Sequence, residues 1–287
     1  MSQYITEAFV QQFADNFMHT VQQKTSRFES TVLVEAGIKG MSKSINRLGQ
    51  RTAQRRLTRH ADTPINDQPH STRYVDLFDW EDGDMIDDQD KIRMLVDPTS
   101  EYVTAMVAAL NRAKDDVIIG ALGGNSRSST GNIALPAAQK IVHGGTGLSK
   151  AKIIQAKKLF RAAEADEEDG EDLYIGYSSA ALADILADTT LTSADFLAGQ
   201  MLQSGTLKGK WMGFNWVPSE RFVKASTTRF LYAWAKSGVK LGVGENVMTR
   251  MGEDPGKGFN VRAYAKMSIG AVRVEEEKVV EIQCTES

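Results

Sequence analysis

The side chains of this chain that most readily do chemistry are four histidines and one cysteine. They are His19, His60, His70, His143 and Cys284. No histidine has a second histidine or a cysteine at the short spacing of a metal site, so neither a metal nor another cofactor is expected. His60 and His70 could meet across a turn, but a chance pair of polar loop residues explains them better. A single cysteine cannot form a disulfide within one chain, which fits a reducing, intracellular setting.

The small-residue segment His143–Lys150 has some features of a phosphate-binding loop. That loop requires Gly-Lys followed by Ser or Thr, because the lysine must lie at the helix start to reach the phosphates. In this segment Ser149 precedes Lys150, so we interpret it as a flexible linker. Gly176–Ala180 likewise lacks the second glycine of a nucleophile elbow. A soluble enzyme therefore has no motif in its favour, and we predict a protein that is not an enzyme.

Charged residues change sign between two neighbouring stretches. Residues 37–60 contain seven basic residues and no acidic one: Lys39, Lys43, Arg47, Arg51, Arg55, Arg56 and Arg59. Residues 76–90 contain eight acidic residues and no basic one: Asp76, Asp79, Glu81, Asp82, Asp84, Asp87, Asp88 and Asp90. A basic arm alone suggests nucleic acid. A basic arm followed by an acidic stretch suggests that one copy of the protein binds the next.

The composition excludes several classes of protein. The formal net charge of −3 disfavours a globally basic nucleic-acid binder. Hydrophobic and charged fractions of 41% and 25% are those of an ordinary globular protein. The sequence has no run of eighteen apolar residues and no apolar run after a basic start. Neither a transmembrane helix nor a signal peptide is therefore expected.

The spacing of apolar residues predicts four helices. An apolar residue at every fourth position predicts an amphipathic helix over residues 4–24. The most clearly marked helix begins at Asp97-Pro98, a good N-cap and first helical residue, and ends at Gly123-Gly124. Its roughly 25 residues at 1.5 Å each predict a length of about 37 Å. Two shorter helices are predicted over 149–165 and 179–186.

The remaining segments predict strands and loops. Strands are predicted over 28–36, 173–177, 211–217, 230–235, 261–265 and 269–282. The basic stretch is predicted to be extended, because like charges four apart repel on a helix, whereas even spacing places them on one strand face. Residues 73–78 could pair back on it as a long hairpin. Residues 123–147 and the acidic run 164–172 are predicted to be loops, the second one solvated. The pattern is α+β, with an arm in front of a compact body.

In its order of elements, the chain resembles the major capsid proteins of tailed bacteriophages, which have the Hong Kong 97 fold. That order is an N-terminal helix, a charged hairpin arm, an acidic approach carrying Trp80-Glu81-Asp82, the helix opened by Asp97-Pro98, a mixed body and a strand-rich C-terminus. The most similar stretch is about 62–124. A second one comprises Ser204–Leu207 with Gly213-Phe214. The match is one of pattern and order over most of the chain.

The resemblance implies a capsid protein that self-assembles into hexamers and pentamers of an icosahedral shell around the phage genome. It assigns residues 1–36 to an N-arm, 37–86 to an extended loop, 87–147 and 255–287 to a peripheral domain with a spine helix, and 148–254 to an axial domain. The implied partners are other copies, a portal protein, a separate scaffolding or decoration protein, and packaged double-stranded DNA bound non-specifically on the inner face. No membrane is implied. Assembly would occur in the host bacterial cytoplasm, and the protein would be located in the virion.

A long two-stranded arm buries too little surface to be stable alone, so it needs a partner surface. We hypothesise that the basic residues of the arm, foremost Arg51, Arg55, Arg56 and Arg59, meet acids of an adjacent subunit. The candidate acids are Asp82, Asp84, Asp87 and Asp88. Two alternatives stay open. The charged runs could be solvated or could pair within one chain, and the arm 37–60 could bind nucleic acid through phosphate contacts.

Overall fold

The computed structural model describes residues 22–56, 58–59, 62, 65–86, 99–188, 207 and 209–286. The predicted helix over 4–24 lies outside these residues except for its last three, which are not helical. The predicted helix start at Asp97-Pro98 also lies outside them. Within the described residues, the helices are α1 Thr99–Gly123, α2 Lys150–Ala162 and α3 Ser179–Ala187. These three confirm the helices predicted at the corresponding positions.

Strands make up much of the remaining chain. Those in the described residues are β1 Leu33–Ala36, β2 Ser42–Leu48, β3 His70–Asp76, β4 Phe78–Ile86, β5 Ser126–Ser128, β6 Gly131–Ile133, β7 Lys140–Ile141, β8 Leu173–Tyr177, β9 Lys210–Trp211, β10 Phe214–Pro218, β11 Lys224–Ala225, β12 Thr228–Ala235, β13 Val239–Asp254, β14 Asn260–Arg273 and β15 Val279–Thr285. They form three sheets, so the α+β prediction is confirmed.

The largest sheet has seven strands in the order β7-β15-β12-β8-β10-β9, with β11 beside β12. Strands β12 and β15 are antiparallel, and β8 and β10 are parallel. The second half of β12 is buried on both faces and places Trp234 in the core, where its ring centroid lies 5.7 Å from that of Phe28. A second sheet has the order β2-β3-β5-β6, and a third has the order β1-β13-β14-β4.

The chain divides into two compact units. The first contains Met1–Ser26, Asp79–Lys114 and Glu245–Ser268, and the second contains Arg27–Phe78, Asp115–Gly244 and Ile269–Ser287. In the first unit, the hydroxyl of Tyr264 on β14 donates to Glu81 Oε2 on β4 at 2.5 Å. The second unit contains the seven-stranded sheet and the arm sheet β2-β3-β5-β6.

Three predicted elements differ from the structure, and one strand was not predicted. The strand predicted over 211–217 is a hairpin of β9 and β10, because Met212 and Gly213 have φ of 51° and 83° and form a two-residue turn. The loop predicted over 123–147 contains β5, β6 and β7. The strand predicted over 28–36 begins with a 3₁₀ turn and is regular only in β1. Strand β13, which was not predicted, has 16 residues.

The acidic run 164–172 is only in part the solvated loop that the sequence predicts, since Glu164, Glu168 and Asp172 are exposed but other acids of the run are not. Asp166 is buried, and its Oδ2 lies 2.6 Å from Arg161 Nε. Glu171 Oε1 lies 2.9 Å from Nζ of Lys278, which is 107 residues further along the chain. Burial raises the pKa of Glu171, but the bonds from Ser237 and Lys278 outweigh it and hold that pKa below its ordinary value. Ion pairs therefore connect the run to α2 and to the turn before β15.

Candidate subunit-interaction site in the charged arm

The arm is a β-hairpin built from β2 and β3. The two strands are antiparallel in a register that runs from Ser42 opposite Asp76 to Leu48 opposite His70, which confirms the predicted hairpin. Strand β3 also pairs with β5, through Arg73 opposite Ser128. The root of the arm thus forms one side of a four-stranded sheet, with β2 at the edge of that sheet. The residues between Gly49 and Pro69 form the tip.

Basic residues at the root of the arm have carboxylate partners in their own chain. Lys43 forms an ion pair with Glu35, which also pairs with Lys240. Hydrogen bonds from Lys240 and Lys43 hold the pKa of Glu35 below its ordinary value. Arg47 lies 3.5 Å from a carboxylate oxygen of Glu275. Lys43 and Arg47 therefore have carboxylate partners within one subunit.

Basic residues at the tip have different surroundings. Arg51 Nη2 donates to the carbonyl oxygen of Asn66 at 3.2 Å. Arg56 Nε donates to the carbonyl oxygen of Thr58 at 3.1 Å. Arg55 is exposed, as are Arg51 and Arg56.

Two further residues of the basic stretch are also exposed: Arg59, which belongs to the tip, and Lys39, which lies before the hairpin. Within the described part of the chain, no carboxylate forms an ion pair with Lys39, Arg51, Arg55, Arg56 or Arg59. The guanidiniums of the tip are therefore held by backbone carbonyls or face solvent.

The candidate acids lie on β4. Asp84 is exposed, and its Oδ1 accepts a hydrogen bond from the backbone N–H of Met85 at 2.8 Å. Asp82 is half-buried. Asp87 and Asp88 lie outside the described residues. The structure thus offers Asp84 and Asp82 as carboxylates that solvent reaches on an edge strand.

Three residues that the sequence reasoning missed bear on the arm. Arg73 on β3 is only 3% exposed, and its Nη2 donates to Glu276 Oε1 at 2.9 Å. Glu275 and Glu276 lie in the turn between β14 and β15. The available sequence signal was a run of three glutamates at 275–277, inside the strand predicted over 269–282, because such a run is opposite in charge to the arm. The structure breaks that predicted strand at this turn.

The glycine-rich segment 143–150 is not built to hold a phosphate. The backbone N–H of Gly145 donates to His143 Nδ1 at 3.0 Å, and that of Leu148 donates to Asp184 Oδ2 at 3.0 Å. A phosphate loop must leave such N–H groups free for the ligand. These two are already used within the fold.

Lys152 fixes the same segment to the body. Its buried ammonium donates to the carbonyl oxygens of Thr146 at 2.8 Å, Gly147 at 2.7 Å and Gln283 at 3.0 Å. Burial lowers the pKa of Lys152. The segment is therefore an anchored turn, and its interpretation as a flexible linker is wrong.

The described residues also bear on metal binding and on membrane insertion. Among the residues whose placement is described, no group of three His, Cys, Asp or Glu side chains could hold a metal ion. His60 lies outside those residues, so its approach to His70 is not described. No helix in the described ranges is both long enough and apolar enough to cross a membrane.

The chain is similar to one known protein family over almost its whole length. The family model described as phage capsid protein matches residues 5–286, which is nearly the whole sequence. The chain belongs to the phage capsid protein family. It is a major capsid protein of the tailed-phage type, it self-associates into a shell, and it is located in the virion. A comparison with curated protein sequences finds no match.

Solved capsid structures share the fold. The capsid of the cyanophage P-SCSP1u is 18% identical, with a TM-score of 0.73 over 99% of this chain and 95% of that chain. The cyanophage Pam1 capsid is 14% identical, with a TM-score of 0.71 over 97% of each chain. The capsid of a native GTA particle is 11% identical, with a TM-score of 0.73 over 97% and 96%. The resemblance to tailed-phage capsid proteins of the Hong Kong 97 type is confirmed.

Proposed function

We propose that residues 37–86, which contain the arm and strand β4, are the extended loop that joins each copy of this capsid protein to the next in hexamers and pentamers. The tip arginines Arg51, Arg55, Arg56 and Arg59 bond to acids of the adjacent copy, with Asp82, Asp84, Asp87 and Asp88 as the candidates. One observation supports this proposal. Lys43 and Arg47 at the root have carboxylate partners within the chain, whereas the exposed arginines of the tip have none among the described residues.

The small free energy of each exposed ion pair suits a shell in which misplaced subunits must dissociate during assembly. Each exposed ion pair stabilises a contact by about 0.2–1 kcal/mol. Such a contact breaks easily when it forms in the wrong place. Because a shell repeats each pair at every equivalent contact, many weak pairs together hold the finished lattice.

A double charge reversal tests the tip. The variant Arg55→Glu/Arg56→Glu should remain folded by circular dichroism but form no closed shells by negative-stain microscopy. Lys150→Glu/Lys158→Glu is the matched control, since both lysines are exposed on α2 and the change in charge is the same. Adding Asp82→Arg/Asp84→Arg to the arm variant should restore shells. Normal shells from the first variant would refute the proposed pairing.

The remaining implied roles follow from the same proposal. The N-arm is residues 1–36, the peripheral domain is 87–147 with 255–287, and the axial domain is 148–254. The inner face contacts packaged double-stranded DNA without sequence preference. The shell receives a portal protein and a separate scaffolding or decoration protein, and the subunit has no catalytic role.

Nucleic-acid binding by the arm 37–60 is the second candidate, because exposed arginines without carboxylate partners also suit phosphates. That function predicts that dissociated subunits bind DNA with an affinity that falls steeply with salt. If the tip arginines bind acids of another copy, we expect dissociated subunits to bind DNA only weakly. Filter binding at several salt concentrations, with Arg55→Glu/Arg56→Glu as the comparison, separates the two functions.

A further inference from the structure

Two arginines at the root of the arm lie on the same face of its hairpin. Arg47 on β2 is opposite Ser71, and Arg73 on β3 is opposite Ile45. Positions two apart along a strand share a face, so the register places Arg47 and Arg73 as diagonal neighbours. Arg73 is buried and Arg47 is half-buried. The hairpin thus presents one guanidinium from each of its strands to the body.

Both guanidiniums meet Glu276. Arg73 Nη2 donates to its two carboxylate oxygens at 2.9 and 3.2 Å. Arg47 Nη1 lies 3.6 Å from Glu276 Oε2, and Arg47 Nη2 lies 3.5 Å from Glu275 Oε1. One buried carboxylate therefore connects both strands of the arm to the turn between β14 and β15.

The turn is itself tied to the body. Lys278 Nζ lies 3.1 Å from Glu275 Oε2 and 2.9 Å from Glu171 Oε1, and it donates to Ser237 Oγ at 2.7 Å. Burial lowers the pKa of Lys278, but the two carboxylates outweigh it and raise that pKa above its ordinary value. The backbone N–H of Val274 also donates to the carbonyl oxygen of Gly238 at 2.8 Å. Alternating charges thus connect the arm to the body, from Arg47 through Glu275 and Lys278 to Glu171 just before β8.

We propose that Glu276 is a positioning residue that sets the direction of the arm within a single subunit, before another copy is met. This inference depends on the proposed function of the arm in assembly. The tip has no such attachment among the described residues: its hydrogen bonds, such as Gln54 Nε2 to Asn66 Oδ1 at 3.1 Å, stay within the arm. A root held by the body and a tip left exposed would present the tip arginines to the neighbour in one direction.

The physical reason is the cost of an unpaired buried charge. Removing one partner of a buried ion pair leaves the other charge in a poorly solvated site, and this is strongly destabilising. Without the charge of Glu276, Arg73 reaches water only if the arm moves away from the turn. The β2–β3 hydrogen bonds do not involve the carboxylate, so the hairpin itself persists. The expected result is an intact arm without a fixed direction.

The experiment measures the direction of the arm in dissociated subunits. Spin labels at Gln54→Cys in the tip and Lys158→Cys on α2 report one tip-to-body distance by pulsed electron paramagnetic resonance. The native Cys284 is buried and does not compete for the label. We expect one narrow distance in the parent protein and its loss in Glu276→Gln. The matched control is Glu277→Gln, because Glu277 is the next residue of the turn and is exposed.

Each outcome decides the inference. A lost narrow distance and a lower yield of shells in Glu276→Gln, with both retained in Glu277→Gln, support it. A distance that stays narrow in Glu276→Gln overturns it, and so does a lost distance with a normal yield of shells. If Glu276→Gln does not fold, Arg47→Gln replaces it, since Arg47 is less buried. The tip-to-body distance is measured in dissociated subunits. It therefore tests the role of Glu276 even if the proposed pairing of the tip with another copy is wrong.

Discussion

Replacing Arg273 with methionine tests whether one buried guanidinium closes the C-terminal end of α1. Arg273 is fully buried, and its Nη1 donates to the carbonyl oxygens of Leu122 at 3.0 Å and Gly124 at 2.7 Å. Its Nη2 donates to the carbonyl oxygen of Ile133 at 3.0 Å. The last carbonyls of a helix have no partners within the helix, so Arg273 on β14 supplies hydrogen bonds that the backbone cannot.

The magnitude follows from these three bonds. Methionine fills much of the same volume but donates nothing. Hydrogen bonds from a charged donor contribute about 1.5–3 kcal/mol each, and the low end applies because the variant no longer has to desolvate a guanidinium. Three bonds at about 1.5 kcal/mol give a loss of about 4.5 kcal/mol in the free energy of unfolding. Arg273→Lys should lose about 2 kcal/mol, because one ammonium cannot reach all three carbonyls in the arginine geometry.

Urea unfolding of dissociated subunits, followed by tryptophan fluorescence, measures this loss. We use the Arg55→Glu/Arg56→Glu background because we expect it to keep the subunits from assembling. Arg250→Met is the control, since Arg250 is exposed on β13 and should change the free energy of unfolding by less than about 0.5 kcal/mol. A loss below about 1 kcal/mol for Arg273→Met, or an equal loss in the control, would show that the three bonds, two to the end of α1 and one to β6, do not stabilise the fold.

Two further predictions concern the C-terminal strand. Burial raises the pKa of Glu286, but bonds from Ser178 and Arg229 outweigh it and hold that pKa below its ordinary value. Its stabilising effect is therefore present above the unfolded pKa of about 4.3 and is lost as pH falls through the lower folded pKa. Glu286→Gln should lower the melting temperature at pH 7 and flatten its fall on acidification, and an unchanged profile would contradict this. Burial raises the pKa of the Cys284 thiol to about 12. A maleimide at pH 8 should therefore label Cys284 about a thousandfold more slowly in the folded subunit than in guanidinium, and equal rates would contradict its burial.

Elements with local signals were predictable from the sequence. The helices α1, α2 and α3 follow from apolar spacing, caps and glycine stops, which involve residues only three or four apart. The aromatic alternation of β12 and the pairing of β2 with β3 were predicted on the same basis. The change of charge sign before α1 and the order of elements were sufficient to predict a capsid protein. These features depend on neighbours in the chain, so the sequence contains them directly.

The partners of individual charges were decided by the tertiary structure. Arg47 and Arg55 belong to one basic run with one spacing, yet Arg47 meets Glu275, which is 228 residues away, while Arg55 faces solvent. The acidic run 164–172 predicts a solvated loop by composition, and the fold brings Lys278 to it. An ion pair requires two groups within about 4 Å, so its partner depends on which distant segment the chain folds against. The sequence determined that this protein has a charged arm, and the tertiary structure decided which end of that arm its own body holds.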